Sequence, residues 1–375
     1  MSAWQSVLTT LKVPSHNSVV GAIGLDCSLT ELHLVQMEID DAKQIQLRAQ
    51  ATLPFPHSRE EMMNSPKLMR SLVQKALRQE PFKGRSVVST LPSDGTTIAP
   101  VTYKVRPGQS EAQAIASVMS ERVGEEISDY VLDYLQVRSE RADEHLAIVA
   151  MAKREIVIDY LELLRLSGVV VDRLEIGPVA IRRLIAAMGP KDQHENVIAL
   201  NFGRQTSFLT VISGRRLLLD QTIAFGEDRF LADIVQALDL PIDAVQKLID
   251  RCIFDPLALA TECESAVDLD ASRTLQDIVK PSLVQLAELL NRTLIYIASQ
   301  TRGEPVNRIY LLGSLARWRG IGELLNTLVR VNVETVPSPI AGFCLGAKAR
   351  SRKGPPSPET AIATGLALGG IMEND

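Results

Sequence analysis

The spacing of apolar and polar positions changes several times along this chain. Between Val19 and Leu53 three short apolar segments follow one another: a glycine-punctuated run to Asp26, then ELHLVQME over Glu31–Glu38, then Gln44–Leu53. The second and third alternate in polarity, the period of a strand with one buried face, so an antiparallel meander of three strands is predicted. Leu68, Leu72, Val73 and Leu77 switch to the spacing of one helical face, and Ser86–Leu91 is again a strand. Strands, helix and strand open a mixed α/β lobe.

The next stretch has a pattern of its own. A helix opened by Ser110 runs to Val123, Tyr130–Val137 and Leu146–Ala152 are strands around the charged turn Ser139–Glu144, and Lys153–Ser167 is a helix stopped by Gly168. Val169–Leu174 is a further strand, and Pro178–Met188 a linking helix. From Val197 the first design returns: two strands flank Gly203, Ser213-Gly214 makes a hairpin turn, and a third strand runs to Ile223. Strand, loop, strand, turn, strand therefore occurs twice, a coarse internal duplication. Phe230–Gln300 reads as mainly helical, with Leu283, Leu286, Leu290, Leu294 and Ile297 on one stripe. Arg308–Leu312 is a strand, Ile321–Val329 a helix, Phe343–Glu359 a basic, proline-rich loop, and Thr360–Ile371 a small-residue helix. Met1–Leu11 has helical spacing and is read as a short docked helix. The expected organisation is a first lobe beginning at 1–94, an inserted subdomain at 95–180, a second lobe at 181–359, and a helix over 360–375 returning to the first lobe.

Composition narrows the functional classes. At 375 residues the chain suits two lobes rather than one core, and a net charge of -5 argues against a dedicated nucleic-acid binder. No apolar run is long enough to span a bilayer, and no signal peptide is read at the start. Cys27, Cys252, Cys263 and Cys344 are dispersed, without metal-ligand spacing, and read as reduced thiols of a cytosolic protein. Two tight polar loops at strand ends suggest a phosphate clamp between two lobes, because such turns aim backbone N–H groups at an anion.

These segments carry a resemblance. IGLDCSLTELHLVQM (23–37) is similar to the first phosphate loop of the actin-like ATPase superfamily, ALNFGRQTSFLTV (199–211) to its second, TIAFGE (222–227) to the strand end that follows, and LLGSLARWRGI (311–321) to its nucleotide-binding loop. The tail ATGLALGGI is similar to the last helix. The insertion around EEISDYVLDYLQV and LAIVAMAKREIVIDYLELLRLSGVVV resembles that of the PilM family of pilus-assembly proteins and, more distantly, of FtsA. The resemblance implies an actin-like (ribonuclease H-like) α/β fold: two lobes with duplicated mixed sheets and a small inserted subdomain. It implies a nucleotide site at Asp26, Ser28, Thr30, Asn201, Gly203, Thr206, Gly226 and Gly313, for ATP with Mg²⁺ organised by Asp26. It also implies a scaffold role at the inner membrane, holding the cytosolic tail of a PilN-like protein through the insertion, alongside other pilus-machine components and with homo-oligomers possible. An active actin-like ATPase, and a type II secretion or FtsA-like assembly component, stand as alternatives.

The site departs from the family pattern in four places. Ser28 replaces a glycine, Asn201 an acid, Glu227 a glycine beside the phosphates, and Ser314 and Leu315 two glycines after Gly313. Expected consequences are a Cβ and a carboxylate close to the phosphates and a leucine crowding the nucleotide, hence a weak or absent ATPase with no assigned catalytic residue. His33 is expected to face solvent, and Trp318 to pack.

Overall fold

The computed structural model describes residues 19–124, 126–137, 145–188, 195–214, 216–263, 265–300, 303–340 and 357–371. The Met1–Leu11 segment, the turn 139–144, Cys344 and the basic loop through 356 lie outside the described residues.

The first meander is β1 (Val19–Cys27), β2 (Glu31–Ile39) and β3 (Ile45–Pro54). After α1 (Arg59–Asn64) and α2 (Pro66–Gln79), β4 (Ser86–Thr90) pairs parallel to β1. Ser65 caps α2 by accepting from the Leu68 N–H, so the segment starts as a helix where a side chain satisfies an open N–H. The chain then leaves for β5 (Thr96–Tyr103), α3 (Glu111–Val123), β6 (Tyr130–Val137) and β7 (His145–Lys153). Ser110 and Gln113 form a reciprocal capping box at the start of α3. These three strands make a separate sheet in the order β5-β7-β6, with a core at Val101, Tyr103, Ile115, Met119 and Val149.

Helix α4 (Arg154–Ser167) and strand β8 (Val170–Glu175) go back to the first lobe. Tyr160, Leu163 and Leu164 of α4 join the core of β1, β2 and α2, and β8 pairs with β4. Within the expected 95–180 insertion, the part that builds its own sheet and core thus ends at Lys153.

Helix α5 (Gly177–Met188) leads to the second meander: β9 (Asn196–Phe202), β10 (Ser207–Ser213) and β11 (Arg216–Ile223). Four helices follow: α6 (Glu227–Leu238), α7 (Ile242–Ile249), α8 (Leu259–Glu262) and the long α9 (Ala266–Gln300). Then come β12 (Val306–Gly313), α10 (Ile321–Asn326), β13 (Asn332–Thr335) and α11 (Ala361–Gly369). The two large sheets have one design. The first runs β3-β2-β1-β4-β8 and the second β11-β10-β9-β12-β13, each three antiparallel strands followed by two parallel ones. Each has its own core, and a third apolar cluster joins them: Val35 and Met37 from one sheet, Val197, Ala199 and Ile212 from the other, with α5 and α11 between. This is the actin-like two-lobe architecture.

Candidate functional site

The turn after β1 and the turn after β9 stand at the same place in the two lobes, so they face one another across the interlobe cleft. Asp26, Ser28, Thr30, Asn201, Gly203, Thr206 and Gly313 all line one cavity of about 140 Å³. Gly226 stands behind the second loop instead, where a Cβ would come within 2.3 Å of the Arg204 carbonyl oxygen.

In the first loop the Ser28 hydroxyl is turned into its own turn. It accepts from the Glu31 N–H at 3.0 Å and the Thr30 N–H at 3.4 Å, and donates to the Glu31 carbonyl at 3.0 Å. The N–H groups that a phosphate cradle would point at an anion are thus occupied within the loop. Arg59 donates to the Cys27 carbonyl at 3.4 Å and, more closely, to the Ser28 carbonyl, which pins the loop from outside. Asp26 accepts from the Thr90 hydroxyl at 3.1 Å, and burial pushes its carboxyl up to about 6, against the hydrogen bond and the Arg59 charge.

The second lobe adds Gly313, at φ +81°, where a Cβ would lie 2.1 Å from the Phe202 carbonyl oxygen. Only glycine holds that backbone so close. Ser314 donates weakly toward the Phe202 and Gly203 carbonyls at 3.3 and 3.4 Å. Arg204, also in the lining, is engaged by Asp228 at 2.9 Å.

Three expectations are corrected here. Glu227 does not line the cleft cavity: it is buried, accepts from the Trp318 indole N–H at 2.9 Å and pairs with Arg317 at 3.2 Å. Leu315 does not crowd the nucleotide position, because its side chain is fully buried in the second-lobe core. His33 does not face solvent. It is 2% exposed, shares a hydrogen bond with Thr52 at 3.1 Å and lines the cleft, and burial lowers its imidazole to about 4. The alternation in β2 marks two buried faces, since α11 covers what a lone sheet would leave wet. Trp318 packs as expected, against Phe254 with ring centroids 5.0 Å apart.

Asp220 escaped the sequence reading. It lines the cleft, accepts from the Thr210 hydroxyl at 2.6 Å, and is pushed up to about 7 by burial. Its one signal was a carboxylate directly after the apolar run Leu217–Leu219. Glu359 and Glu31 also line the cavity, and burial raises the Glu31 carboxyl above its usual range.

The resemblance of the two loops implies a magnesium-bound nucleotide in this cleft, and the residues present do not fit one. The cavity lies below the roughly 300–1,000 Å³ of cofactor-sized sites. Asn201 supplies no anionic metal partner, and no group of three or more metal-ligating side chains occurs among the described residues. Carboxyls outnumber cations around the place for phosphate, and the Ser28, Thr30 and Glu31 N–H groups of the first loop are already used.

A larger cavity of about 470 Å³ lies behind the cleft, between the inserted sheet and the first lobe. Val131, Leu135, Ile148, Val157, Leu161 and Val179 form its apolar walls, with Asp133, Arg173 and Glu175 as its charged positions. Val131 and Leu135 remain 40% and 38% exposed on β6.

A family description, type IV pilus assembly protein PilM, matches residues 24–371. The chain belongs to the PilM family. The match takes in the turns after β1 and β9, the inserted sheet and α11, so cleft and groove both fall within the matched residues. A solved structure of the PilM-PilN type IV pilus biogenesis complex is similar, with a TM-score of 0.72 and 22% identity over 94% of this chain and 99% of that one. The ethanolamine utilization protein EutJ from Carboxydothermus hydrogenoformans is similar with a TM-score of 0.51 and 14% identity, over 93% of this chain and 89% of that one. At these identities the likeness is one of fold. No curated protein matches the chain.

Proposed function

We propose that the chain is a cytosolic scaffold of the type IV pilus assembly machine, and that the groove between its inserted sheet and first lobe seats the cytosolic N-terminal tail of an inner-membrane PilN-like protein. The groove carries this reading. Its volume of about 470 Å³ falls within the range of ligand cavities, and its walls are apolar. Among the described strands β6 pairs only with β7, leaving one edge free. A tail laid along that edge gains backbone hydrogen bonds while alternate side chains enter the apolar walls. Asp133, Arg173 and Glu175 then fix its register. The similar PilM structure was solved with PilN, which supports the assignment. Among the described residues no helix is long and apolar enough to cross a membrane, so attachment at the inner membrane is assigned to the tail. ATP hydrolysis has no part in this role, in line with the misfit in the cleft.

The test is a binding titration with a synthetic tail peptide from an inner-membrane protein encoded nearby. Val131→Asp and Leu135→Asp each place a charge on the apolar wall. Affinity is expected to fall at least about tenfold, which is roughly 1.4 kcal/mol, with the melting temperature unchanged because both side chains are half exposed. Unchanged affinity in both variants means that the tail binds elsewhere.

A further inference from the structure

Helix α2 has two sides of opposite character. Met69, Leu72, Val73 and Ala76 are buried in the first-lobe core. The exposed positions are Lys67, Arg70, Ser71, Lys75 and Arg78, four cations and a serine. At about 100° per residue the four cations fall within an arc of about 140° and span about 16 Å of the helix. No aspartate or glutamate occurs anywhere in α2. The row continues past the helix, where Lys83 and Arg85 are also exposed. Their backbone is fixed: the buried Gln36 amide binds both the Lys83 N–H and the Lys83 carbonyl at 2.8 Å, and the Arg85 carbonyl accepts from the Val170 N–H at 2.9 Å. None of the six side chains has an ion-pair partner among the described residues.

The fold does not call for this arrangement. Lys67 and Arg70 stand near the start of α2, where the positive end of the helix dipole opposes them. Lys67 with Arg70, and Lys75 with Arg78, are like-charge neighbours at i, i+3, which weaken a helix. An ordinary solvated face interleaves the two signs, as α9 does with exposed Asp270, Arg273, Asp277 and Lys280. Helix α4 packs beside α2 and brings no neutralising charge, since its Glu162 is held by its own Arg165 at 2.6 Å. Successive cations of α2 lie no more than about 8 Å apart along the axis, one Debye length at physiological salt, so they act on a partner together.

We propose that the outer face of α2 and the turn at 83–85 form a membrane-surface contact that lies on anionic lipid headgroups. No α2 residue lines either cavity, so the face has no pocket in which to seat a side chain of a folded partner. No aromatic side chain is exposed on α2 for a nucleic-acid base to stack on. A flat array of unpaired cations suits fluid headgroups, which move laterally to meet the charges. Val170, 66% exposed beside Arg85, adds an apolar side chain at the edge of the contact. The contact is separate from the groove and needs neither a tail nor a nucleotide.

Flotation of the full chain with lipid vesicles, without any peptide, tests it. Vesicles of phosphatidylcholine with about one third phosphatidylglycerol are expected to carry the chain up the gradient. Pure phosphatidylcholine is expected not to, and about 0.5 M salt to release the chain. Each cation near such a surface contributes on the order of fivefold in partitioning, so K67Q/R70Q/K75Q/R78Q is expected to bind at least about tenfold more weakly. Its melting temperature is expected to hold, because the positions are exposed and glutamine is a good helix former. The same charge loss from exposed second-lobe positions, K247Q/R273Q/K280Q/R292Q, is expected to leave binding within about threefold. In the unaltered chain, acylation of Lys67, Lys75 and Lys83 by an amine-reactive ester is expected to slow on anionic vesicles, while that of Lys247 and Lys280 does not. This second readout needs no variant to fold. Absence of binding to anionic vesicles, or equal binding to neutral ones, overturns the proposal. Binding that survives the α2 variant overturns it by placing the contact elsewhere, and equal loss in both fourfold variants overturns it by reducing the effect to net charge. Capture of duplex DNA or of an acidic protein without vesicle binding overturns it as well, and gives the face to that partner. All of these outcomes leave the groove reading to its own test.

Discussion

Single residues here show how a substituted site changes use. A carboxylate replaced a glycine at 227, and the fold turned it inward, where the indole N–H of Trp318 and the guanidinium of Arg317 hold it. Glu227→Ala leaves that buried N–H without an acceptor and Arg317 with Glu359, at 2.8 Å, and the Ser314 carbonyl, at 3.3 Å. A loss of about 2–4 kcal/mol is expected, read as a lower urea midpoint, and Glu227→Gln recovers part of it because the amide oxygen still accepts. A midpoint unmoved by the alanine would show the pair to be idle. The cleft carboxyls give a pH prediction. Asp26 and Asp220 are raised from 3.8 to about 6 and about 7 by burial. At these two groups the folded state thus binds more protons than the unfolded one between about pH 4 and 7, so their contribution to stability falls as pH rises through that window and levels above it, while His33, lowered to about 4 by burial, works the other way between about pH 4 and 6.5. Asp220→Asn keeps an acceptor for Thr210 and removes the charge. It is expected to raise stability at pH 8 by about 1–2 kcal/mol, less than the full shift because the side chain is only partly shielded, and to change little at pH 4. An equal change at both pH values would contradict the assignment.

Between elements the controlling contact is that of α5 with α11. Gly365→Ala should improve α11 in isolation by about 1 kcal/mol, since alanine is the better helix former. The added methyl meets the Ala180 carbonyl oxygen at 2.1 Å and its carbon at 2.5 Å, so the helices must part. Overpacking of this kind costs about 1–3 kcal/mol, and a net loss is expected, read as a lower melting temperature. A variant that melts higher would mean that the interface yields easily. Most elements were legible in the sequence, because alternation in Glu31–Glu38, the Ser110 cap and the Gly168 stop each act locally. Two strands were not. Thr96–Tyr103 contains Pro100, which cannot donate to a ladder and is tolerated because β5 lies at the edge of its sheet. Asn332–Thr335 is short and joins the sheet only through β12, a pairing no local pattern encodes. In the cleft, loop positions followed from order along the chain, while side-chain direction did not. Leu315, Glu227 and His33 were each misjudged because neighbours distant in sequence decide which way they face.

At the scale of the whole molecule, two cavities meet at one wall, the smaller in the cleft, at about 140 Å³, and the larger in the groove, at about 470 Å³. Calorimetry with ATP and Mg²⁺ is expected to give a Kd weaker than about 100 μM, roughly −5.5 kcal/mol or less in magnitude. Restoring the missing acid with Asn201→Asp should not rescue binding. The loop-one N–H groups would still be held by Ser28, and a further anion would join Asp26, Asp220, Glu31 and Glu359 around the phosphate position. Adding Ser28→Gly frees those N–H groups, and the double variant is the one in which affinity should rise, provided that the cleft can widen. If Asn201→Asp alone brings binding into the micromolar range, the metal partner was the missing part and the loop hydrogen bonds are readily exchanged for phosphate. If the unaltered chain already binds that tightly, the cleft opens far more easily than its packing against α5 and α11 implies, and the cavity volume is then no guide to what it accepts.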